Sequence, residues 1–324
     1  MTTGIFRGSA PWKDNLVRSK RVRDYLAYVA VRILICLVQA LRIETGRTLA
    51  THLAWFFADM LRLRGSIVDD NLRQAFPELN ESRRRELARH MWEHLFLLVL
   101  EVAHASRKIH ETNWRSYIRL NHADRLVRAL LEDRPVLIVT GHFGNFEVAG
   151  FVLGILGFST YTVARTLDNP YLDRYLNSFR GQTGQYIVPK KGAYDQIAKI
   201  MERGGTLTLL ADQHAGRKGC WVEFFGRPAS THKAIALLAL EHDAPIAVVG
   251  APRAGDPLEL ELEVDVVADP CSMDAQLRTV PDLTQWYTRH LERIIRRAPN
   301  QYWWLHRRWK DARSRRRSGR KKAA

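Results

Sequence analysis

His142 and Glu147 stand five positions apart in the run Thr140-Gly-His-Phe-Gly-Asn-Phe-Glu147. A neutral imidazole held by a carboxylate is a general base. It can take a proton from a hydroxyl that must attack an acyl group. The run follows the apolar stretch Pro135–Val139 and precedes the apolar stretch Val148–Leu153. That context reads as strand, glycine turn, helix. Gly141 and Gly144 allow backbone geometry that a side chain would obstruct. Asn145 suits the N-cap of the helix, and Glu147 its first turn, where a carboxylate favours the helix dipole. His142 is then expected at the carboxyl end of a strand, the usual ligand crevice of an open α/β sheet. The competing reading is that the pair only caps and packs. A metal is not expected: His-x4-Glu supplies two ligands, no third lies at compact spacing, and His-Glu-x-x-His is absent.

The elements that must position this pair fall into two kinds. Residues 25–130 read as mostly helical. Ile67–Phe76 is short and closed by Pro77, and Asn80 or Ser82 can cap a long helix running through Glu101. Leu87, Met91, Leu95 and Leu98 recur on it at helical spacing, and Trp92 and Phe96 widen that apolar face. From about residue 134 short apolar runs alternate with helical patterns. Strands are expected over Val136–Thr140, Ser159–Ala164, Tyr186–Pro189, Thr206–Ala211 and Pro245–Val249. Helices are expected over Phe146–Leu156, Tyr171–Thr183, Gly192–Arg203, His232–Glu241 and Leu283–Arg296. Leu258–Val266 alternates strictly, as a half-exposed antiparallel or edge strand does. This pattern predicts an α/β fold with a mixed, mostly parallel sheet flanked by helices. The expected divisions are a basic mobile lead (1–24), a helical N-terminal region with a membrane anchor packed on the catalytic domain (25–130), an α/β core (131–310) and a basic tail (311–324).

The chain has 324 residues, 46% of them hydrophobic, enough for one large α/β domain with a helical extension. Fifty Lys and Arg face 34 Asp and Glu, a net charge of +16. The excess gathers at the ends, from Arg7 to Arg23 and from Arg313 to Lys322. Such runs suit an anionic membrane surface. No zinc finger, RNP motif or basic zipper accompanies them, so nucleic acid is not an expected partner. Tyr25–Leu41 is apolar but broken by Arg32, and Leu49–Leu61 contains His52 and Asp59. Neither stretch gives about 18 uninterrupted apolar residues, so an interfacial or marginal anchor is expected rather than a spanning helix. Cys36, Cys220 and Cys271 show no framework spacing and read as reduced. No secretory signal is evident.

Four further clusters follow: Ala164-Arg-Thr-Leu-Asp-Asn-Pro170, Leu210-Ala-Asp-Gln-His214, Val222–Thr231 and Asn300–Arg308. Each alone is weak. Arg165 alone reads as a surface ion-pair partner, Asp212-Gln213 as a turn, and Trp303 and Trp304 as core. Together with Gly-His-Phe-Gly-Asn-Phe-Glu, with Asp70–Pro77 and with Glu101, they resemble the bacterial lipid A biosynthesis acyltransferases from about Val38 to Lys310. That resemblance implies a fold like that of the glycerol-phosphate acyltransferases. It implies transfer of a fatty acyl group from acyl carrier protein, or acyl-CoA in some branches, to a hydroxyl of a glycolipid. It implies no metal, no further cofactor and no acyl-enzyme. The setting would be the cytoplasmic face of the inner membrane. Related branches acylate mannosylated phosphoinositides, so another phosphoglycolipid or a lysophospholipid is the alternative acceptor.

The family pattern His-x4-Asp/Glu is matched by His142 and Glu147. Under it His142 removes the acceptor proton, and Glu147 fixes the tautomer and stabilises the imidazolium. The tetrahedral oxyanion needs donors. The turn amides of Gly144 and Asn145 are expected to supply them, with Arg165 as a cationic helper or a phosphate ligand. The resemblance marks Arg165, Asp212 and Gln213 as site residues without fixing their roles; Asp212 would orient Arg165 or bind an acceptor hydroxyl. Arg217 and Lys218 are expected at the mouth, docking the acidic carrier protein. Ser230-Thr-His-Lys233 and the basic tail depart from the family pattern and leave the acceptor open.

Overall fold

The computed structural model describes residues 11–190, 192–270, 272 and 277–310, with side chains from residue 19 onward. The tail (311–324), the first ten residues of the lead (1–24) and Cys271 lie outside the described residues; the rest of the lead, from Pro11, is helical. Four helices come first: α1 (Pro11–Ala40), α2 (Ile43–Trp55), α3 (Gly65–Ala75) and α4 (Glu81–Lys108). Then follow β1 (Ile118–Asn121), α5 (Asp124–Leu131), β2 (Val136–Thr140), α6 (Phe146–Ile155), β3 (Thr160–Ala164), α7 (Pro170–Gly181), β4 (Gln185–Pro189), α8 (Ala193–Glu202) and β5 (Thr206–Leu210). The chain continues through β6 (Cys220–Phe224), β7 (Arg227–Thr231), α9 (Ala234–Glu241), β8 (Ile246–Gly250), β9 (Leu260–Ala268) and α10 (Val280–Arg297).

The main sheet has seven strands in the order β1-β9-β8-β2-β5-β3-β4. Its pairs are parallel except β8 with β9. The mixed, mostly parallel architecture expected from the alternation is the one observed. β9 is antiparallel to β8, as its strict alternation suggests, but it is not an edge: β1 pairs along its other side. β1 and α5 fall in the stretch read as helical, so the sheet layer begins before residue 131. The β6–β7 hairpin also went unread, since Val222–Thr231 carries no long apolar run. β2 is central, between β5 and β8, and all five of its residues are buried. That is why its sequence is a continuous apolar run rather than an alternating one.

The long helix α4 starts where expected. Asn80 caps it by accepting a hydrogen bond from the Arg83 amide. Further along, α4 carries Glu101 into the interior, where it is fully buried. Glu101 Oε1 accepts from Arg253 Nε (2.5 Å) and from the Leu258 amide (3.1 Å). Its Oε2 accepts from Arg253 Nη2 (2.8 Å) and from Asn145 Nδ2 (2.7 Å). One carboxylate thus ties α4 to the β8–β9 loop and to the turn before α6. Gln301 extends the tie by exchanging side-chain hydrogen bonds with the Arg253 backbone, 2.8 and 2.9 Å.

Removing one member of a buried ion pair strands the other charge, at a cost of about 3–5 kcal/mol. Glu101→Ala is therefore expected to lower stability by about that amount in denaturant unfolding. A loss under about 1 kcal/mol would show that Arg253 finds water or another partner.

Candidate active site

The site forms at the carboxyl ends of β2, β5 and β8. Gly141 and His142 follow β2, Asp212 follows β5, and Ala251 to Arg253 follow β8. The turn 141–145 is held on every side. Gly144 N–H donates to Gln301 O (2.9 Å), Asn145 N–H to Ala251 O (2.7 Å), and Trp303 N–H to His142 O (3.0 Å). Asn145 caps α6 through Val148 N–H (3.1 Å). Gly144 has φ +60°, and a Cβ there would overlap the Ala251 carbonyl, so only glycine lets the turn pass under β8.

Asp212 is fully buried and points up at His142. Its Oδ2 accepts the His142 backbone N–H at 2.9 Å. The His142 ring Nδ1 lies 2.9 Å from Oδ1 and 3.1 Å from Oδ2. A carboxylate is acceptor-only, so Nδ1 carries the proton in the neutral ring and the Nε2 lone pair is left free. Gly141 admits this approach: a Cβ there would sit 3.3 Å from Asp212 Cγ and 3.2 Å from Leu291 Cδ1. Burial raises and the His142 charge and hydrogen bonds lower the Asp212 pKa, with a net result below the usual carboxylate range. Burial depresses His142, but the Asp212 charge and hydrogen bond, aided by the Glu147 charge, outweigh it and hold its pKa above 6.5. The pair favours an imidazolium, the species that forms when the ring takes a proton.

Glu147 has a different place from the one expected. Both its oxygens bond Arg180: Oε2 accepts from Nε at 3.0 Å, and Oε1 from Nη2. It therefore joins α6 to α7 and contributes to His142 through its charge, while Asp212 makes the tautomer-fixing contact. The physical reason lies in helix geometry: Glu147 in the first turn of α6 projects toward α7, away from the Nδ1 edge. The Gly144 and Asn145 amides are consumed by Gln301 and Ala251 carbonyls, so the oxyanion role expected of them has no free donor. Arg165 is exposed after β3 and pairs with Asp168 at 2.9 Å, and Asp212 is spent on His142 instead of Arg165. Gln213 is exposed, its carbonyl accepting from Arg308 Nη1 at 3.3 Å. Arg217 and Lys218 are exposed in the loop that begins at Asp212. Among the described residues no group of His, Cys, Asp or Glu is arranged to hold a metal ion.

The other face of His142 is aromatic. Phe146 packs edge-on at 5.3 Å between centroids, Trp303 lies at 5.0 Å and His306 at 4.7 Å. Trp303 Nε1 and His306 Nε2 are buried without a hydrogen-bond partner. Burial, and the charge of the His142 ring when it is protonated, lower the His306 pKa. Arg308, 2% exposed, donates to Ser230 O (2.6 Å) and Thr231 Oγ1 (2.5 Å), locking the 300–309 strap onto β7. The strap was visible in the sequence as an aromatic cluster that read as core. What it lacked was any sign that it lies over the β2 turn. Arg253 and His94 were missed. The position of Arg253 just past a buried strand, where ligand crevices form, was the available signal. His94 Nδ1 lies 3.3 Å from Arg253 Nη1. Burial and that cation push the His94 pKa down to about 3.

A family model described as bacterial lipid A biosynthesis acyltransferase matches residues 16–311. The chain belongs to that family. It is an acyltransferase, as the motifs suggest. It is 27% identical over 258 residues to the lipid A biosynthesis lauroyltransferase of Escherichia coli K12, covering 77% of this chain and 80% of that one. The lipid A biosynthesis palmitoleoyltransferase of the same organism is 24% identical over 267 residues, covering 81% and 84%. A phosphatidylinositol mannoside acyltransferase of Mycolicibacterium smegmatis is 26% identical over 195 residues, covering 54% of this chain and 64% of that protein. Among solved structures, a 1-acyl-sn-glycerophosphate acyltransferase from Thermotoga maritima aligns with TM-score 0.38 at 13% identity, over 81% of this chain and 100% of that one.

The acid limb of kcat/KM should lie above pH 6.5, because activity is lost as pH falls through the raised His142 pKa and the lone pair is protonated. Asp212→Asn leaves only the Glu147 charge to oppose burial. It should move that limb to lower pH and cut the plateau by about 10²–10⁴-fold. Glu147→Gln should shift the limb slightly down and cost less than about tenfold. Equal losses and equal limb shifts in the two variants would return Glu147 to the role of imidazole partner.

Proposed function

We propose that this acyltransferase moves a fatty acyl chain from a thioester on acyl carrier protein to a hydroxyl of a lipid A precursor or related glycolipid, with His142 as general base oriented by Asp212. The single observation that carries the reading is the Asp212–His142 bond, which leaves Nε2 as the basic nitrogen at a strand's carboxyl end. Nε2 takes the hydroxyl proton as the oxygen attacks the thioester carbon. The C–O bond forms, the tetrahedral oxyanion collapses, and the thiolate leaves and recovers the proton from the imidazolium. Trp303 Nε1–H and the neutral His306 ring are the donors best placed for the oxyanion, since the turn amides are occupied. No metal or cofactor enters this scheme; the thioester is a co-substrate. Acyl-CoA is the other donor with the same chemistry.

An apolar cavity supports a fatty substrate. It lies behind Phe146, between α5, α6 and the sheet, lined by residues such as Leu126, Leu130, Ala149, Leu153 and Val264. At about 50 Å³ it is well below the ~150 Å³ apolar void that admits benzene. A fatty chain would therefore enter as α5 and α6 side chains withdraw. Membrane attachment fits the outer face of α1, where Val22, Tyr25, Leu26, Ile33, Leu34 and Leu37 are exposed beside Arg21 and Arg23. Among the described residues no helix is long and apolar enough to cross a membrane. An interfacial helix on the cytoplasmic face of the inner membrane, drawn to anionic lipid, matches that arrangement. The acceptor could instead be a phosphoglycolipid, because the matched relatives include a phosphatidylinositol mannoside acyltransferase.

Lipid mass spectrometry on cells lacking this protein should show one fatty acyl group missing from a glycolipid, restored by the wild type and not by a folded His142→Ala protein. Restoration by His142→Ala would remove His142 from the chemistry. Charge reversal at Arg217 and Lys218 should raise the apparent KM for acyl carrier protein with little change in maximal rate, and the effect should weaken in salt. An unchanged KM would place carrier docking elsewhere.

A further inference from the structure

The turn that follows α2 has an architecture unlike a simple helix end. Phe56–Met60 forms one π-helical turn, closed by Leu61 N–H to Phe56 O at 2.9 Å, and no residue in it is buried. Arg62 and Arg64 follow in left-handed conformation, φ +46° and +55°. The extra residue of a π turn splits the side chains into two sets. Phe57 turns inward, with ring centroids 5.3 Å from Trp92 and 5.2 Å from Phe96. Asp59 is clamped by Arg89 at 2.7 and 3.1 Å. Trp55, Phe56, Met60, Leu61 and Leu63 turn outward and are 41–61% exposed.

This turn is bolted to the active site. Arg64 Nη1 donates to Leu305 O at 3.0 Å. Asn71 on α3 donates to Trp304 O and His306 O, both at 2.7 Å. These carbonyls belong to the strap whose Trp303 and His306 rings pack on His142.

We infer that Trp55–Leu63 is a second membrane-insertion element, separate from α1, that seats the His142 site against an anionic bilayer. Three observations select a lipid surface as its occupant. Half-exposed portions of five large side chains amount to on the order of 400 Å², while a stable protein interface needs about 800 Å² per partner. Tryptophan, phenylalanine and methionine beside arginines suit the boundary between acyl chains and anionic headgroups, and the chain's net charge of +16 adds to the attraction. Finally, the element touches the strap that covers the base, which is where an acceptor drawn from a membrane must arrive. This last point rests on the proposed function above.

The test uses the full chain and vesicles of phosphatidylethanolamine containing phosphatidylglycerol. Combined Trp55→Ser, Phe56→Ser, Met60→Ser and Leu61→Ser should lower vesicle partition at least about tenfold. Transfer to the same acceptor dispersed in detergent should stay within about twofold, provided thermal unfolding matches wild type. In parallel, brominated lipid should quench a tryptophan component of the wild type that Trp55→Phe removes. That second readout decides the matter if the serine variant does not fold. Unchanged partition, an unchanged quenched component in Trp55→Phe, or a change only in oligomeric state would overturn the inference. If the wild type partitions and quenches as stated but transfers no acyl group in either medium, the proposed function fails while this inference stands.

Discussion

Asp212 is a carboxylate with no exposed surface, and the geometry of the site follows from the need to compensate its charge. An uncompensated buried ion costs several kcal/mol, so its oxygens must be bonded. Two of the bonding groups come from one residue: the backbone N–H and the ring Nδ1 of His142. One carboxylate therefore fixes the backbone of the β2 turn and the rotamer of the ring together. Gly141 leaves room for it from below. Arg308, buried nearby in the strap, adds a cation to the same interior, and its hydrogen bonds to β7 keep it there.

A second buried carboxylate, Glu101, grips the turn from the opposite side through Asn145 and through Arg253. The His142 ring thus sits between two satisfied polar networks, which is the condition for a preorganised site. Neither network uses Glu147. Its pairing with Arg180 makes it a strut between α6 and α7 whose charge reaches His142 across space. The strap 300–309 completes the enclosure. It presents aromatic faces and two unpartnered buried nitrogens to the ring, and it is braced from outside by Arg64 and Asn71. The apolar cavity behind Phe146 and the exposed turn after α2 both reach this one place, through Phe146 and through the strap.

Local order was legible in the sequence wherever period or cap chemistry was strong. The buried run Val136–Thr140, the Asn80 and Asn145 caps and the alternation of Leu258–Val266 are read directly from residue type, because burial on two faces, a cap or one wet face each impose a distinct pattern. β1 was lost because four residues with two exposed give no period. The hairpin of β6 and β7 was lost because half of it is polar. At the site, sequence proximity suggested the His142–Glu147 pair, whereas the sheet brings in a partner 70 residues away. β2 and β5 are neighbours in register from Val136 and Thr206 onward, so the residues just past their ends must meet. Nothing in a linear spacing shows that adjacency. The same holds for Arg165, which the motif placed at the site and the end of β3 leaves in solvent.

The central claim is that Asp212 holds His142 with its proton on Nδ1. Nitrogen-15 NMR of selectively labelled His142 measures this directly. The Nδ1–H tautomer is predicted, with a downfield Nδ1 proton that survives in Glu147→Gln and disappears in Asp212→Asn. An Nε2–H tautomer, or a downfield proton that disappears in Glu147→Gln and persists in Asp212→Asn, would contradict it.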